Sequence, residues 1–135
     1  MRFQESEAAL DDRDKVVTDI ITGLMWQQEV SDRELSYKTA EEYIHKFNQD
    51  SFAGHKDWRL PTIPEFMSLL LPDFYCANGG EFIDSVFKKG RWPGYSFWSA
   101  DRCEPDSAWH VNFAILDVGP LNVSYELCVR AVRYI

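Results

Sequence analysis

The stretch DWRLPT, Asp57 to Thr62, sets an aromatic, a cation, an aliphatic and a proline ahead of a hydroxyl. The hydroxyl is helix-start chemistry. Thr62-Ile63-Pro64-Glu65 has the spacing of a capping box, in which Thr62 Oγ1 accepts from the Glu65 N–H and the Glu65 carboxylate reaches back to the Thr62 N–H. Pro64 is tolerated because first-turn N–H groups have no intrahelical acceptor. Phe66, Leu69 and Leu70 then give a buried stripe, and Pro72 is expected to end the helix. Ahead of the cap, Trp58 is expected in the core. Arg59 is expected to pair with Asp57, Glu65 or Asp19 and so tie loop to helix, a role its planar fork suits. An open ligand clamp is the competing reading of Asp57, Trp58 and Arg59; scaffold is preferred because structural ion pairs are common.

Upstream, Ser36 is a good N-cap. Tyr37, Ala40, Tyr43, Ile44 and Phe47 recur at helical spacing, with Glu41, Glu42, His45, Lys46 and Gln49 mostly opposite. This pattern predicts an amphipathic helix over 36–50. Val16 to Asp19 and Leu24 to Gln28 read as a strand and its return, with Gly23 in the turn. Residues 1–15 read as a polar arm with an early edge strand around Arg2–Gln4. Downstream, 73–95 is a long turn-rich excursion, of the kind that often carries function. Strands are expected at Ser96–Ala100, at Ala108–Ala114 and at Leu127–Ile135. In the second, Trp109, Val111 and Phe113 would share one face, and His110 and Asn112 the other. In the third, Arg130 would lie with Cys128 and Val132. Early helices and a mostly antiparallel sheet define the α+β class, in one domain over 16–135.

Bulk properties narrow the function. Apolar residues make up 45% of the 135 and aromatics 15%, which fits a packed globule. The net charge of −8 repels phosphate backbones and argues against nucleic acid as a partner. No apolar run reaches the roughly 20 residues of a membrane span, so no membrane insertion is expected. The charged start MRFQESEAALDDRDK lacks a signal-peptide core, which leaves a cytoplasmic protein or a piece of a longer exported one. Cys76, Cys103 and Cys128 match no zinc spacing. They read as free thiols, with a Cys103–Cys128 disulfide as the alternative.

Four separated stretches carry a resemblance: VTDIITGLMWQ (17–27), DWRLPT (57–62), FWSADRCEPDSAWHVNF (97–113) and VRAVR (129–133). With the helix between the first two, they resemble the Lcl C-terminal domain, a family of bacterial domains named for the tip of a collagen-like adhesin. The resemblance covers 16–135 in order. It implies a C-type-lectin-like fold, related to that of formylglycine-generating enzymes, with the N-terminal strand pair and the C-terminal strand meeting in one sheet. Two helices would pack on that sheet, and a looped region near 73–107 would form an upper face. Family members often carry cysteine where this chain has Ala131. The adhesin's association with sulfated polysaccharide does not carry over to a chain of −8 without a local basic patch.

Trp26, Trp98 and Trp109 read as core anchors, and Arg130 and Arg133 as strand residues fixing the sheet edge. Trp92 and Tyr95, in a Pro/Gly loop, are candidates for an exposed aromatic platform. With Asp101, Arg102, Glu104, His110 and Asn112 they make up the candidate ligand-binding set, on the 73–107 loop face and strand 108–114. Asp101, Glu104, Asp106 and Asn112 are also the oxygen donors for an alternative Ca²⁺ site, but the Trp-Asn-Asp companion of lectin calcium sites is missing, because His110 and Val111 follow Trp109. Otherwise no cofactor is expected. His45, His55 and His110 share no spacing with an acid or nucleophile, and no catalytic fingerprint occurs. The cysteine pair of formylglycine-generating enzymes is absent, since Cys128 stands alone near the C-terminus. The expectation is a non-catalytic recognition module for a glycan, peptide or protein surface. A structural or homo-oligomerising domain of a larger surface or signalling protein is the alternative, and a cysteine nucleophile at Cys103 or Cys128 comes third.

Overall fold

The computed structural model describes residues 2–7, 15–70 and 96–135. Within them the chain forms seven strands, two α-helices and one 3₁₀ turn. β1 (Phe3–Glu7), β2 (Lys15–Asp19) and β3 (Leu24–Gln27) precede α1 (Tyr37–Gln49), the turn at Phe52–Gly54 and α2 (Ile63–Met67). β4 (Ser96–Glu104), β5 (Ser107–Asn112), β6 (Asp117–Asn122) and β7 (Val132–Tyr134) follow. The strands make two sheets, ordered β1-β2-β3-β7 and β4-β5-β6, and every pairing between them is antiparallel. The α+β class is as expected. The single sheet of the sequence reading is in fact two, joined by a parallel bridge between Phe97 and Cys128.

The first sheet forms because β2 and β3 alternate residues between two apolar cores. Val17, Leu24 and Trp26 belong to one core, with Phe66 and Leu69 from the α2 region, Phe97, Val111, Phe113 and Cys128. Val16 belongs to the other, with Tyr37, Ala40 and Ile44 of α1, Trp58, Leu60, Trp98, Ala108 and Val129. The helices therefore lie with different cores. α1 is as expected: the Ser36 hydroxyl accepts from the Thr39 N–H, and Tyr37, Ala40 and Ile44 are buried. α2 has its capping box but stops at Met67, short of Pro72; the Ser68 N–H bonds back to Pro64 and Glu65, and Leu69 is buried beyond the helix end.

The C-terminal stretch departs most from simple alternation. Leu127 through Val132 are buried without a break. Cys128 and Val132 enter the first core, while Leu127, Val129 and Ala131 enter the second. Only Val132–Tyr134 joins the ladder, against β3. Arg130 is 2% exposed; its guanidinium donates to Gln27 O at 2.9 Å and to Gln28 O. It is thus a buried strut, whereas Arg133 sits on the edge strand β7 and pairs with Asp57.

β5 also corrects the alternation. Ala108 faces the second core and Val111 and Phe113 the first, because the two ends of the strand bury opposite faces. Trp109 is accordingly half-exposed and outside both cores, and His110 is buried at 6%. β6 was not expected. It carries Gly119 and Pro120, and among the described residues it is an edge strand, a position that tolerates proline. Trp26 and Trp98 are both fully buried. Cys103 is an exposed free thiol and Cys128 a buried one, so these two are not joined.

Candidate functional site

The DWRLPT loop is gripped from four sides. Asn48 on α1 uses both ends of its side-chain amide on Trp58: Nδ2 donates to Trp58 O at 2.9 Å, and Oδ1 accepts from Trp58 N at 2.8 Å. The Trp58 indole donates to Phe52 O at 2.9 Å. Arg59 exchanges both backbone bonds with Val132 at the edge of β7. The Ala100 N–H of β4 donates to Pro61 O at 2.7 Å. Asp101 Oδ2 accepts from the Ile63 N–H at 2.7 Å, at the mouth of α2.

The charged side chains complete the clamp. Arg59 forms a bidentate pair with Glu65, at 2.8 and 2.7 Å. Of its three candidate partners, Asp57 instead holds Arg133 at 2.6 Å and Asp19 holds Arg2 at 2.7 Å. Burial pushes the Glu65 carboxyl up, but the bonds from Arg59 and from the Thr62 N–H outweigh it and leave Glu65 below its ordinary value. The hydrogen bond from Arg133 likewise holds Asp57 below its own. The Arg59 guanidinium also lies 4.8 Å from the centre of the Tyr134 ring.

Against this braced loop runs a groove of about 540 Å³. It is lined by Trp58, Arg59, Leu60 and Thr62 of the loop, by Tyr37, Glu41, Ile44, His45 and Asn48 of α1, and by Ala100 and Arg102 of β4. That size is within the range of pockets that hold small ligands. Trp58 and Arg59 are therefore struts and groove wall at once. The Tyr37 hydroxyl donates to Ser99 O at 2.9 Å, and its ring packs edge-on against Trp98. The Arg102 guanidinium lies 5.0 Å from the centre of the Tyr37 ring and donates to Pro105 O at 3.2 Å.

Of the seven residues singled out for binding, five lie among the described residues, and each has its own surroundings. Trp92 and Tyr95 lie outside the described residues, as does most of the 73–107 face. Arg102 is in the groove. Asp101 is spent on the N-terminus of α2, and Glu104 is exposed at the end of β4. His110 Nδ1 bonds Gly119 O at 2.7 Å, with Asp117 3.5 Å from its other nitrogen. Asn112 Oδ1 accepts from Ala114 and Ile115 N–H in the turn to β6. Asp101 Oδ2 and Asn112 Oδ1 thus accept from backbone N–H groups, and among the described residues no three His, Cys, Asp or Glu side chains are grouped to hold a metal ion. No helix among them is long and apolar enough to cross a membrane.

The groove face of α1 went unread because Glu41 and His45 look like a solvated helix surface. The signal was there: Tyr37, Glu41, Ile44, His45 and Asn48 stand at i, i+4, i+7, i+8 and i+11, one helical stripe.

Two antiparallel sheets, two helices and a clamped loop beside an open groove define an α+β scaffold domain. The chain belongs to the Lcl C-terminal domain family, whose model matches residues 15–133. A comparison with curated proteins returns no match.

Proposed function

We propose that this domain is a non-catalytic recognition module whose ligand sits in the groove between α1 and the Asp57–Thr62 loop. The observation that carries this reading is the contrast between wall and rim. The wall is fixed by hydrogen bonds from α1, β4 and β7, whereas Glu41, His45 and Arg102 on the rim are exposed. A rigid wall lowers the ordering cost of binding. The side of the ligand face expected from the sequence enters through Arg102. We also read the fold as C-type-lectin-like. In support, β2 and β3 meet the C-terminal β7 in one sheet, and a second sheet, β4-β5-β6, packs across the shared core.

Panels of glycans and of peptides, presented to the intact chain, test the reading. Binding that Arg102→Ala weakens tenfold or more at unchanged melting temperature is expected. Silence in both panels defeats it.

A second reading, self-assembly, has its own observation. Ile20 and Ile21 are 52% and 73% exposed in the β2–β3 turn, beside Tyr134 and Ile135 at 63% and 64%. Exposed apolar groups of this kind mark association surfaces. Light scattering that returns monomer mass at high micromolar concentration would exclude it.

A further inference from the structure

Resting on the self-assembly reading, we propose that two copies of this chain meet across a two-fold axis through the β2–β3 turn and the end of β7. Turn chemistry is the first argument. Turns favour glycine, proline, asparagine, aspartate and serine. Here the turn after Asp19 opens with Ile20 and Ile21, 52% and 73% exposed. The turn is built by other groups: Gly23 takes the positive φ of 74°, and Asp19 Oδ1 accepts from the Ile21 N–H at 3.0 Å. Leu24 pairs with Tyr134, and the Ile135 N–H donates to Gly23 O at 3.0 Å. Tyr134 and Ile135 therefore stand against the same turn, each more than half in water. Large apolar groups scattered singly are ordinary, but four together mark an association surface.

Charge selects the occupant. A chain of −8 repels copies of itself in most orientations. At this end the acids are matched. Asp19, which leads into the turn, holds Arg2 at 2.7 Å. Asp57 holds Arg133, the neighbour of Tyr134, at 2.6 Å. Glu65 holds Arg59, whose guanidinium lies 4.8 Å from the centre of the Tyr134 ring. Three acids against three arginines leave these groups neutral, so the excess negative charge is carried by the rest of the chain. Charges beyond about 8 Å are largely screened at physiological salt. Two copies meeting through this end thus bury apolar groups without a like-charge contact. An anionic lipid surface finds no unpaired arginine among these groups to hold it.

A two-fold contact uses the same patch on both copies and closes at two. Four side chains fall short of the roughly 20–30 residues a side of a standard interface, so the dimer is weak and concentration-dependent.

Sedimentation equilibrium of the intact chain from 5 to 500 µM tests this. Mass should rise toward the dimer and stop there. Ile21→Glu should raise the concentration at half-dimer at least tenfold, with the melting temperature unchanged because Ile21 is exposed. Ile115→Glu adds the same charge on the β5–β6 turn of the other sheet, where Ile115 is 71% exposed, and should leave the mass alone. Salt raised from 50 to 500 mM should strengthen the dimer, because it screens the repulsion and spares the apolar contact. A dimer that Ile21→Glu leaves intact, or that Ile115→Glu breaks equally, overturns this interface while self-assembly stands. Mass beyond the dimer overturns the two-fold closure. Monomer throughout sinks both this interface and self-assembly, and leaves the groove untouched. Monomer that floats with phosphatidylcholine vesicles assigns the patch to a lipid surface instead.

Discussion

Removing the Glu65 carboxylate opens the cap of α2 and frees the Arg59 fork in one step. Each charge-assisted hydrogen bond is worth about 1.5–3 kcal/mol and an N-cap bond about 1, and the effects overlap because they share one group. Glu65→Ala should therefore destabilise by about 3 kcal/mol, read as a lowered urea midpoint. Arg59→Ala should cost about 2 kcal/mol by the same measure. Acid should act through the same carboxyls. Glu65, Asp57 and Asp19 are all held below their ordinary values of 4.5, 3.8 and 3.8. A depressed carboxyl contributes its stability in full above its unfolded value and loses it as pH falls through the folded one. Unfolding titrations should be flat from pH 7 to about 5 and decline below about pH 4, and Glu65→Gln should flatten that decline. Ser51 and Ala53 both stand at φ 51°, in the left-handed region beside the Phe47–Phe52 stack. That conformation costs about 1 kcal/mol for a residue with a Cβ, so Ser51→Gly should raise the midpoint slightly.

At the scale of elements, how far the sequence could be read depended on where the deciding interaction lay. The α1 pattern and the Thr62–Glu65 box were legible because both are local: a cap and a 3.6-residue period are written in consecutive residues. So were β2 and β3, joined through Gly23 at φ 74°. β6 was not legible. Gly119 and Pro120 argue against a strand unless its edge position is known, and edge position is a property of the sheet. The face of Trp109 was misjudged for a related reason. Strict alternation assumes one buried face, and β5 changes its buried face along its length. Long-range contacts also hid the groove, since Glu41 and His45 become a wall only once the 57–62 loop is clamped opposite them. Asn48 is the α1 side of that clamp. Asn48→Ala removes two hydrogen bonds to Trp58 and should cost about 2 kcal/mol, and it should loosen whatever the groove binds.

For the whole molecule, the two cores share one partition. Burial pushes the Cys128 thiol up to about 11, while Cys103 is exposed on β4. In a Cys76→Ser background, a thiol reagent at pH 8 should modify one sulfur quickly and the second only at the rate of unfolding. Fast modification of both would mean that the partition opens in the native state. The Leu127–Val132 segment is that partition's last piece, filling both cores at once and sending Arg130 to the carbonyls of Gln27 and Gln28. This has a consequence during synthesis. A ribosome releases α1, the clamp loop and six of the seven described strands before it releases the plug that seals them. Until that plug arrives the nascent chain presents two half-lined apolar troughs, so stalling or truncation just before residue 127 should yield chaperone-bound or aggregated protein rather than a smaller folded domain.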